Sequence, residues 1–156
     1  MNIFISTVSV IVLLIILNFF TGYMNSRVRM IKKREKKFDE FEQQGYKLTK
    51  RWHCNYMSIA IDEKKKIIAC IVLGLKAQFY VFNINEIVGK PEVKTSGVIS
   101  KLATSVAVVF KSKDNNYYLL RTLTIKKGFG VLKSGNIFKK AVADAEEILK
   151  TIEKCR

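Results

Sequence analysis

The chain begins with one long apolar segment and then changes to short stretches in which apolar and polar residues alternate. Residues 2–24 contain no Asp, Glu, Lys, Arg or His, and residues 8–17 are almost purely aliphatic. A bilayer core about 30 Å thick requires about 20 apolar residues in a helix. Backbone groups in hydrocarbon must also be paired within the segment. The pattern therefore predicts a transmembrane helix within an anchor of residues 1–26.

This segment has the features of a retained anchor, the alternative being a cleaved signal peptide. No Lys or Arg precedes the apolar run, and the run is longer than the usual signal core of about 7–15 residues. The residues that follow it, Gly22 to Ser26, match a small-x-small cleavage site poorly.

Residues 27–44 are predicted to continue the helix as a connector that ends at Gly45, since Gly is common just after a helix. Glu35 is the single acidic residue between positions 27 and 37, and seven residues there are basic. Because basic flanks stay on the cytoplasmic side, we expect the N-terminus outside a bacterial inner membrane and the C-terminal domain in the cytoplasm. The basic side chains act either as a topology signal and spacer or as specific contacts to anionic lipid headgroups. They are Arg27, Arg29, Lys32, Lys33, Arg34, Lys36 and Lys37.

From residue 45 to residue 156 the pattern is typical of a small α+β domain. Stretches rich in alternating, β-branched or aromatic residues are separated by turn residues, which predicts six or seven antiparallel strands in a barrel or sandwich. They cover residues 46–53, 56–61, 66–73, 76–84, 87–94, 104–111 and 117–126. Pro91 indicates an edge strand, and Asp62 and Glu63 fall in a turn where they are expected to be solvated.

The last segment has the spacing of an amphipathic helix that would cover one end of the strands. Residues 136–154 place apolar side chains on one face, with Ser134 or Asn136 as the candidate N-terminal cap. The apolar face consists of Ile137, Ala141, Ala145, Ile148 and Ile152.

The charge of the chain favours anionic partners. The net charge is +15, and most of it lies beyond the connector. The anionic leaflet is the nearest such surface for an anchored domain, and nucleic acid is the competing partner. The three cysteines, Cys54, Cys70 and Cys155, have no paired spacing and suit a reducing compartment.

The stretch SIAIDEKKKIIA at Ser58–Ala69, followed by YVFNINEI at Tyr80–Ile87, resembles bacterial pleckstrin-homology-like (PH-like) proteins. The order of strands followed by one C-terminal helix is also similar to that family. The resemblance implies a binding or scaffold module and assigns no catalytic site. The size and the N-terminal anchor resemble small inner-membrane proteins of temperate phages, which implies superinfection exclusion by blocking phage genome entry.

Little in the sequence indicates catalysis. His53 is the single histidine and it adjoins Cys54, but neighbouring residues on a strand point to opposite faces. No second His or paired Cys stands at the spacing of metal ligands. We therefore expect a protein that is not an enzyme and that needs no metal or other cofactor.

Two groups of residues are candidates for contact with an anion or a partner. Lys126, Lys127 and Lys133 surround a Gly-Phe-Gly sequence that forms either a strand-to-helix connection or an anion-binding loop. Arg51 and Trp52 lie among basic residues and can stack on nucleic-acid bases, although a tryptophan in a strand is more often in the core. The aromatic residues are assigned to the core at positions 79, 80 and 82 and to a partly exposed turn at positions 117 and 118.

The sequence thus leads to one main hypothesis and two alternatives. The main one is a single-pass, non-enzymatic binding protein at the cytoplasmic face of the membrane, with an unidentified protein partner that is expected in the same membrane. The alternatives are a membrane-tethered nucleic-acid-binding protein and a subunit of a larger membrane complex, held through small polar residues of the anchor.

Overall fold

The computed structural model describes residues 2–73, 77–97, 99–126 and 128–156. Over these residues the chain is α+β, with a long N-terminal helix, antiparallel sheets and a C-terminal helix. It divides into two compact units, residues 1–36 and residues 37–156. The helices are α1 (Asn2–Glu42) and α2 (Asn136–Cys155). The strands are β1 (Lys50–His53), β2 (Met57–Asp62), β3 (Ile67–Leu73), β4 (Ala77–Asn83), β5 (Ile87–Ser96), β6 (Leu102–Ala103), β7 (Ser105–Ser112), β8 (Tyr117–Thr124) and β9 (Val131–Leu132).

The first unit consists of the apolar part of α1 and the basic residues that follow it. Residues 10–20 expose their side chains, and the hydroxyl of Thr21 donates to the carbonyl of Leu17 at 2.9 Å, so this polar group is paired within the helix. In the described part of the chain, α1 is the one helix that is long and apolar enough to cross a membrane. The predicted N-terminal apolar helix is therefore confirmed.

The second unit contains a four-stranded and a three-stranded antiparallel sheet. The first has the order β1-β2-β3-β4, the second has the order β5-β7-β8, and a short ribbon pairs β6 with β9. A 3-10 helix, Ile84–Glu86, connects the two larger sheets. Pro91 lies in the edge strand β5, within the interval from Val88 to Glu92 where the register shifts, which confirms its predicted edge position.

The main hydrophobic core is formed by one face of each larger sheet together with α2. Alternation along the strands places Ile59, Ile61, Ile68 and Cys70 in this core. Helix α2 contributes its buried face of Ala141, Ala145, Ile148, Ile152 and Cys155. The predicted covering helix is thus present, and its bounds, Asn136–Cys155, agree with the predicted residues 136–154.

Helix α2 differs from the prediction at its start. Its N-cap position is Gly135, with no side-chain hydrogen bond, whereas Ser134 or Asn136 was the predicted cap. Ile137 was assigned to the buried face but is exposed, and its neighbour Phe138 packs against the main core instead.

A second hydrophobic cluster covers the opposite face of the four-stranded sheet. Phe38 and Phe41, from the end of α1, pack with Leu48 and with the outward residues of β2 and β3, which are Ala60, Ala69 and Ile71. The ring of Phe41 stacks on that of Tyr46, with the centroids 4.0 Å apart. These contacts assign the last turn of α1 to the folded unit, where the sequence suggested a spacer up to residue 44.

Polar contacts fix the same helix end. Arg51 of β1 bonds to Glu42 at 2.9 Å and to Asp39 at 3.2 Å. The other carboxylate oxygen of Glu42 accepts the backbone N–H of Leu48 at 2.9 Å. Gly45 has a φ of +88°, a value that suits glycine, and its N–H donates to the carbonyl of Glu42 at 2.9 Å, so it lies just after the helix end as predicted.

The two larger sheets do not close into a barrel over the described residues. Near one corner, the side chain of Asn55 bonds to both the N–H and the carbonyl of Thr124, at 3.1 and 3.0 Å. The N–H of Arg121 faces the sulfur of Met57. Side chains therefore take the place of a strand ladder at this corner. Among the described residues, the first half of β8 and the edge of β4 have no such link, which leaves the sheets open there.

Asp62 is buried, in contrast to its predicted exposure in the turn after β2. Its carboxylate accepts the N–H groups of Lys47 at 2.8 Å and of Lys65 at 2.9 Å. Burial by itself raises the pKa of this carboxyl, but the backbone hydrogen bonds outweigh burial and hold the pKa below its ordinary value.

Asp62→Asn is expected to lower the free energy of unfolding at pH 7 by about 1–3 kcal/mol, because Asn has one acceptor oxygen and no charge. The contribution of Asp62 is complete above a pH of about 4 and is lost as the pH falls through its lowered pKa. Denaturant unfolding of the full chain in mild detergent, followed through the buried Trp52, should give a difference at pH 7 that shrinks at pH 3. An equal difference at both pH values would contradict this account.

Candidate functional site: an aromatic groove between two sheet edges

The open side of the second unit forms a groove lined by apolar and aromatic side chains. We call it the aromatic groove, and its volume is about 180 Å³. The ring of Phe82 on β4 lies 4.7 Å from that of Tyr118 on β8, measured between centroids, and 5.7 Å from that of Phe110 on β7. The lining consists of Met57, Cys70, Val72, Tyr80, Phe82, Tyr118, Leu119 and Leu120. Such a lining suits apolar or aromatic side chains of a ligand.

A more polar cavity of about 450 Å³ adjoins the aromatic groove and shares Phe82 and Tyr118 with it. The Tyr118 hydroxyl donates to Asp114 at 3.0 Å, and this hydrogen bond raises the pKa of Tyr118. Hydrogen bonds from Asn116 lower the pKa of Asp114. The carboxylate is thus ionised and the phenol neutral at pH 7, so this end of the groove offers acceptor oxygens to a ligand.

Strand β4 exposes apolar side chains on both of its faces. The prediction placed Phe79 and Tyr80 in the core, but both are exposed, as is Val81 between Tyr80 and Phe82. The reason is that β4 is the last strand of its sheet, so nothing pairs with its far side over the described residues. Phe82 is half-buried, in partial agreement with its predicted core position, and Tyr118 is half-buried as expected.

The histidine and the cysteines are used structurally. The His53 Nδ1 lies 2.8 Å from the Ser58 hydroxyl. All three cysteines are free thiols and buried, and burial raises the pKa values of Cys70 and Cys155. A neutral, buried thiol is a poor nucleophile and a poor metal ligand. Within the described ranges, no group of three His, Cys, Asp or Glu side chains is arranged to hold a metal ion.

Arg51 and Trp52 do not form the exposed stacking surface that the sequence allowed. Trp52 is only 7% exposed and belongs to the main core, and its Nε1 donates to Glu147 at 3.0 Å. The guanidinium of Arg51 is held by Asp39 and Glu42. Their proposed partner contact is therefore corrected: Trp52 is a core residue, and Arg51 fastens the end of α1.

The candidate lysines of the strand-to-helix connection are partly described. Lys126 and Lys133 are exposed, and the Lys126 ammonium lies 4.8 Å from the centre of the Tyr56 ring. The backbone N–H of Lys133 donates to the carbonyl of Lys101 at 3.0 Å, which joins this connection to the loop before β6. Lys127 lies outside the described residues.

The basic cluster after the apolar segment is exposed at six of its seven positions. Arg34 is the exception, since it is only 3% exposed. Its guanidinium therefore has little surface to offer to lipid headgroups, and the lipid-contact prediction continues to apply to the exposed members, which are Arg27, Arg29, Lys32, Lys33, Lys36 and Lys37.

The aromatic groove was not predicted from the sequence, although Tyr80, Phe82 and Tyr118 were each noted as aromatic residues of strands. The groove depends on Phe82 and Tyr118 meeting across two sheets, and no local spacing signals such a contact. Comparison of the chain with protein-family models, with curated proteins and with solved structures gives no match.

Proposed function

We propose that this chain is a single-pass membrane protein whose second unit is a PH-like binding module for an extended segment of a protein partner. The segment would lie in the aromatic groove. The observation that carries the proposal is the position of this groove between the edge of β4 and the first half of β8, neither of which pairs with a further strand in the described part of the chain. Catalysis and cofactors have no part in the proposed mechanism.

A free strand edge supplies backbone N–H and C=O groups that a peptide strand can pair with. Along β4 this edge carries Tyr80, Val81 and Phe82, which offer apolar contacts to alternate side chains of the peptide. Asp114, at the polar end of the groove, would favour a basic or hydrogen-bond-donating residue there. The preferred ligand is thus an extended peptide with apolar residues at alternate positions.

The proposed membrane anchor would confine the binding module to the membrane surface. A partner confined to the same membrane meets the module at a raised effective concentration, so a modest affinity suffices. Basic residues after the apolar segment favour an N-terminus outside and a module in the cytoplasm of a bacterial cell.

The PH-like assignment is supported by the element order of the second unit. Four strands, then a three-stranded sheet, then one helix follow the order that the sequence resemblance implied. The predicted role in phage superinfection exclusion rests on chain layout, and it stays a prediction within this proposal.

Tyr80→Lys is expected to reduce partner recovery at least tenfold, about 1.4 kcal/mol, when the tagged full chain is purified from detergent-solubilised membranes. The substitution places a charge in the groove at a side chain that is already 42% exposed, so the fold should tolerate it. Tyr117→Lys is the matched control, because Tyr117 is more exposed and lies outside the groove lining.

The recovered partner should also slow amide hydrogen exchange along β4, as strand pairing requires. Nuclease treatment should leave recovery unchanged. Equal recovery with wild type and Tyr80→Lys, or loss with Tyr117→Lys as well, would count against the groove as the binding site. Loss of the partner on nuclease treatment would favour the nucleic-acid alternative.

A further inference from the structure

One end of the second unit exposes apolar side chains that the aromatic groove does not use. They come from the loop before β6, from the connection around β9 and from the first turn of α2. The most exposed is Phe129, at 79%. We call these side chains the apolar tip: Ile99, Phe129, Leu132 and Ile137.

The backbone holds these residues close together. The β6–β9 ribbon pairs Leu102 with Leu132, and the N–H of Leu102 donates to the carbonyl of Ile99 at 3.0 Å. The N–H of Gly135 donates to the carbonyl of Leu132 at 2.9 Å, which brings the start of α2 to the ribbon. Turn and ribbon bonds thus link Ile99, Leu132 and the first turn of α2.

The loop that carries Phe129 makes a close backbone contact with the β6–β9 ribbon at Gly130. Gly130 has a φ of +100°, and a Cβ there would lie 2.5 Å from the carbonyl oxygen of Ala103. A residue other than glycine would therefore displace the loop from the ribbon. The close contact of Gly130 thus keeps the residue after Phe129 next to the ribbon, while the Phe129 ring itself is exposed.

The segments that form the apolar tip also carry lysines. Lys101, Lys126, Lys133 and Lys139 are exposed on the same segments, and the sequence has no Asp or Glu between Asp114 and Asp144 or between Glu92 and Asp114. Exposed apolar residues on segments that also carry exposed lysines are complementary to an anionic bilayer surface, which offers acyl chains below a layer of negative charge.

We propose that the apolar tip is a second membrane contact, in which Phe129 and Leu132 enter the headgroup region of an anionic leaflet while Lys101 and Lys133 bind phosphate groups. This inference rests on the membrane location assumed in the proposed function but not on the aromatic groove. It would fix the orientation of the groove relative to the bilayer and so restrict the partners that can reach it.

The test uses the full chain in nanodiscs that contain brominated lipids, which quench tryptophan at the bilayer. Phe129→Trp should be quenched in discs with phosphatidylglycerol, after subtraction of the signal of Trp52 in the wild type. Tyr117→Trp, exposed elsewhere, should not be quenched. Adding Lys101→Gln and Lys133→Gln should lower the docked-to-undocked ratio about fivefold for each lysine.

Each result of the quenching experiment supports or overturns a stated proposal. Quenching of Phe129→Trp that exceeds the control and weakens without phosphatidylglycerol supports the apolar tip. If the chain enters the discs but the two variants are quenched equally or not at all, the membrane contact of the apolar tip is overturned. The proposal for the aromatic groove is not affected by that result. Quenching that is unchanged in purely zwitterionic discs overturns the assignment of an anionic surface. A chain that does not enter the discs overturns the anchor and both proposals that depend on it.

Discussion

Phe38→Ala is expected to lower the free energy of unfolding of the second unit by about 3–5 kcal/mol, the usual cost of a fully buried aromatic residue. Phe38 is 0% exposed and packs in the second hydrophobic cluster, against the outward face of the four-stranded sheet. The guanidinium of Arg51 also lies over its ring, 5.7 Å from the centroid. Removing the ring leaves a cavity and exposes an apolar sheet face, and both effects destabilise the fold.

The measurement is thermal or urea unfolding of the full chain in mild detergent, followed by the fluorescence of Trp52. This residue is the single tryptophan, and it is buried in the second unit, so its signal reports that unit alone. The midpoint should fall by about 10–20 °C for a unit of this size.

Phe129→Ala is the matched control, since it removes the same ring from a side chain that is 79% exposed. We expect a change within about 0.5 kcal/mol for it. If Phe38→Ala shifts the midpoint no more than this control does, the end of α1 is a spacer and the second cluster does not stabilise the fold.

This result would test the role of the end of α1, where prediction and structure differ most. The helical spacing of Phe38 and Phe41 was evident, but the basic residues before them favoured a spacer near the membrane. The sequence of β3 indicates the surface on which Phe38 and Phe41 pack, because IIACIVL is apolar on both faces of the strand. A strand of this kind needs a cover on each side, and the end of α1 supplies the second cover.

The elements themselves were predictable because their periods are local. Seven stretches of alternating or β-rich residues match the seven longer strands, and α2 begins at the predicted residue. The two-residue strands β6 and β9 were missed, since such short stretches have no period and their pairing depends on backbone hydrogen bonds. Ile137 fits the helical period but is exposed, whereas its neighbour Phe138 packs against the core. Which of the two is buried depends on tertiary contacts and not on the period.

The aromatic groove was not predictable for a related reason. Strands β3 and β4 are both apolar on two faces, yet β3 is central and buried whereas β4 is an edge strand and exposed. The difference comes from which strands pair, a long-range property of the whole sheet. Phe82 and Tyr118 meet only because both lie at open edges, so their contact could be seen only in three dimensions.

Leu13→Arg combined with Ile16→Arg is expected to move the full chain from the membrane fraction to the soluble or aggregated fraction. Each arginine near the centre of a transmembrane helix costs about 2.5–3.5 kcal/mol of insertion free energy, so two cost about 5–7 kcal/mol. Both positions lie in the exposed apolar part of α1, where no described contact of the second unit depends on them. The fold of that unit should therefore persist, which the fluorescence of Trp52 can verify.

The measurement is cell fractionation followed by an alkaline wash of the membranes, with the mass of the protein determined in each fraction. Val28→Arg combined with Met30→Arg is the control, because it adds the same two charges to the basic segment that follows the apolar run. Since cations are favoured at the cytoplasmic end of a membrane helix, this control should remain in the membrane.

The mass separates the anchor from a cleaved signal peptide. A retained anchor leaves the wild type in the washed membranes at its full-length mass, whereas a signal peptide leaves a shorter, extractable protein. Wild type that is found soluble at full length would mean that α1 does not insert at all. In that case the exposed apolar face of α1 would need a protein partner to cover it. The membrane anchor would have to be abandoned, and with it the raised effective concentration of a partner at the aromatic groove.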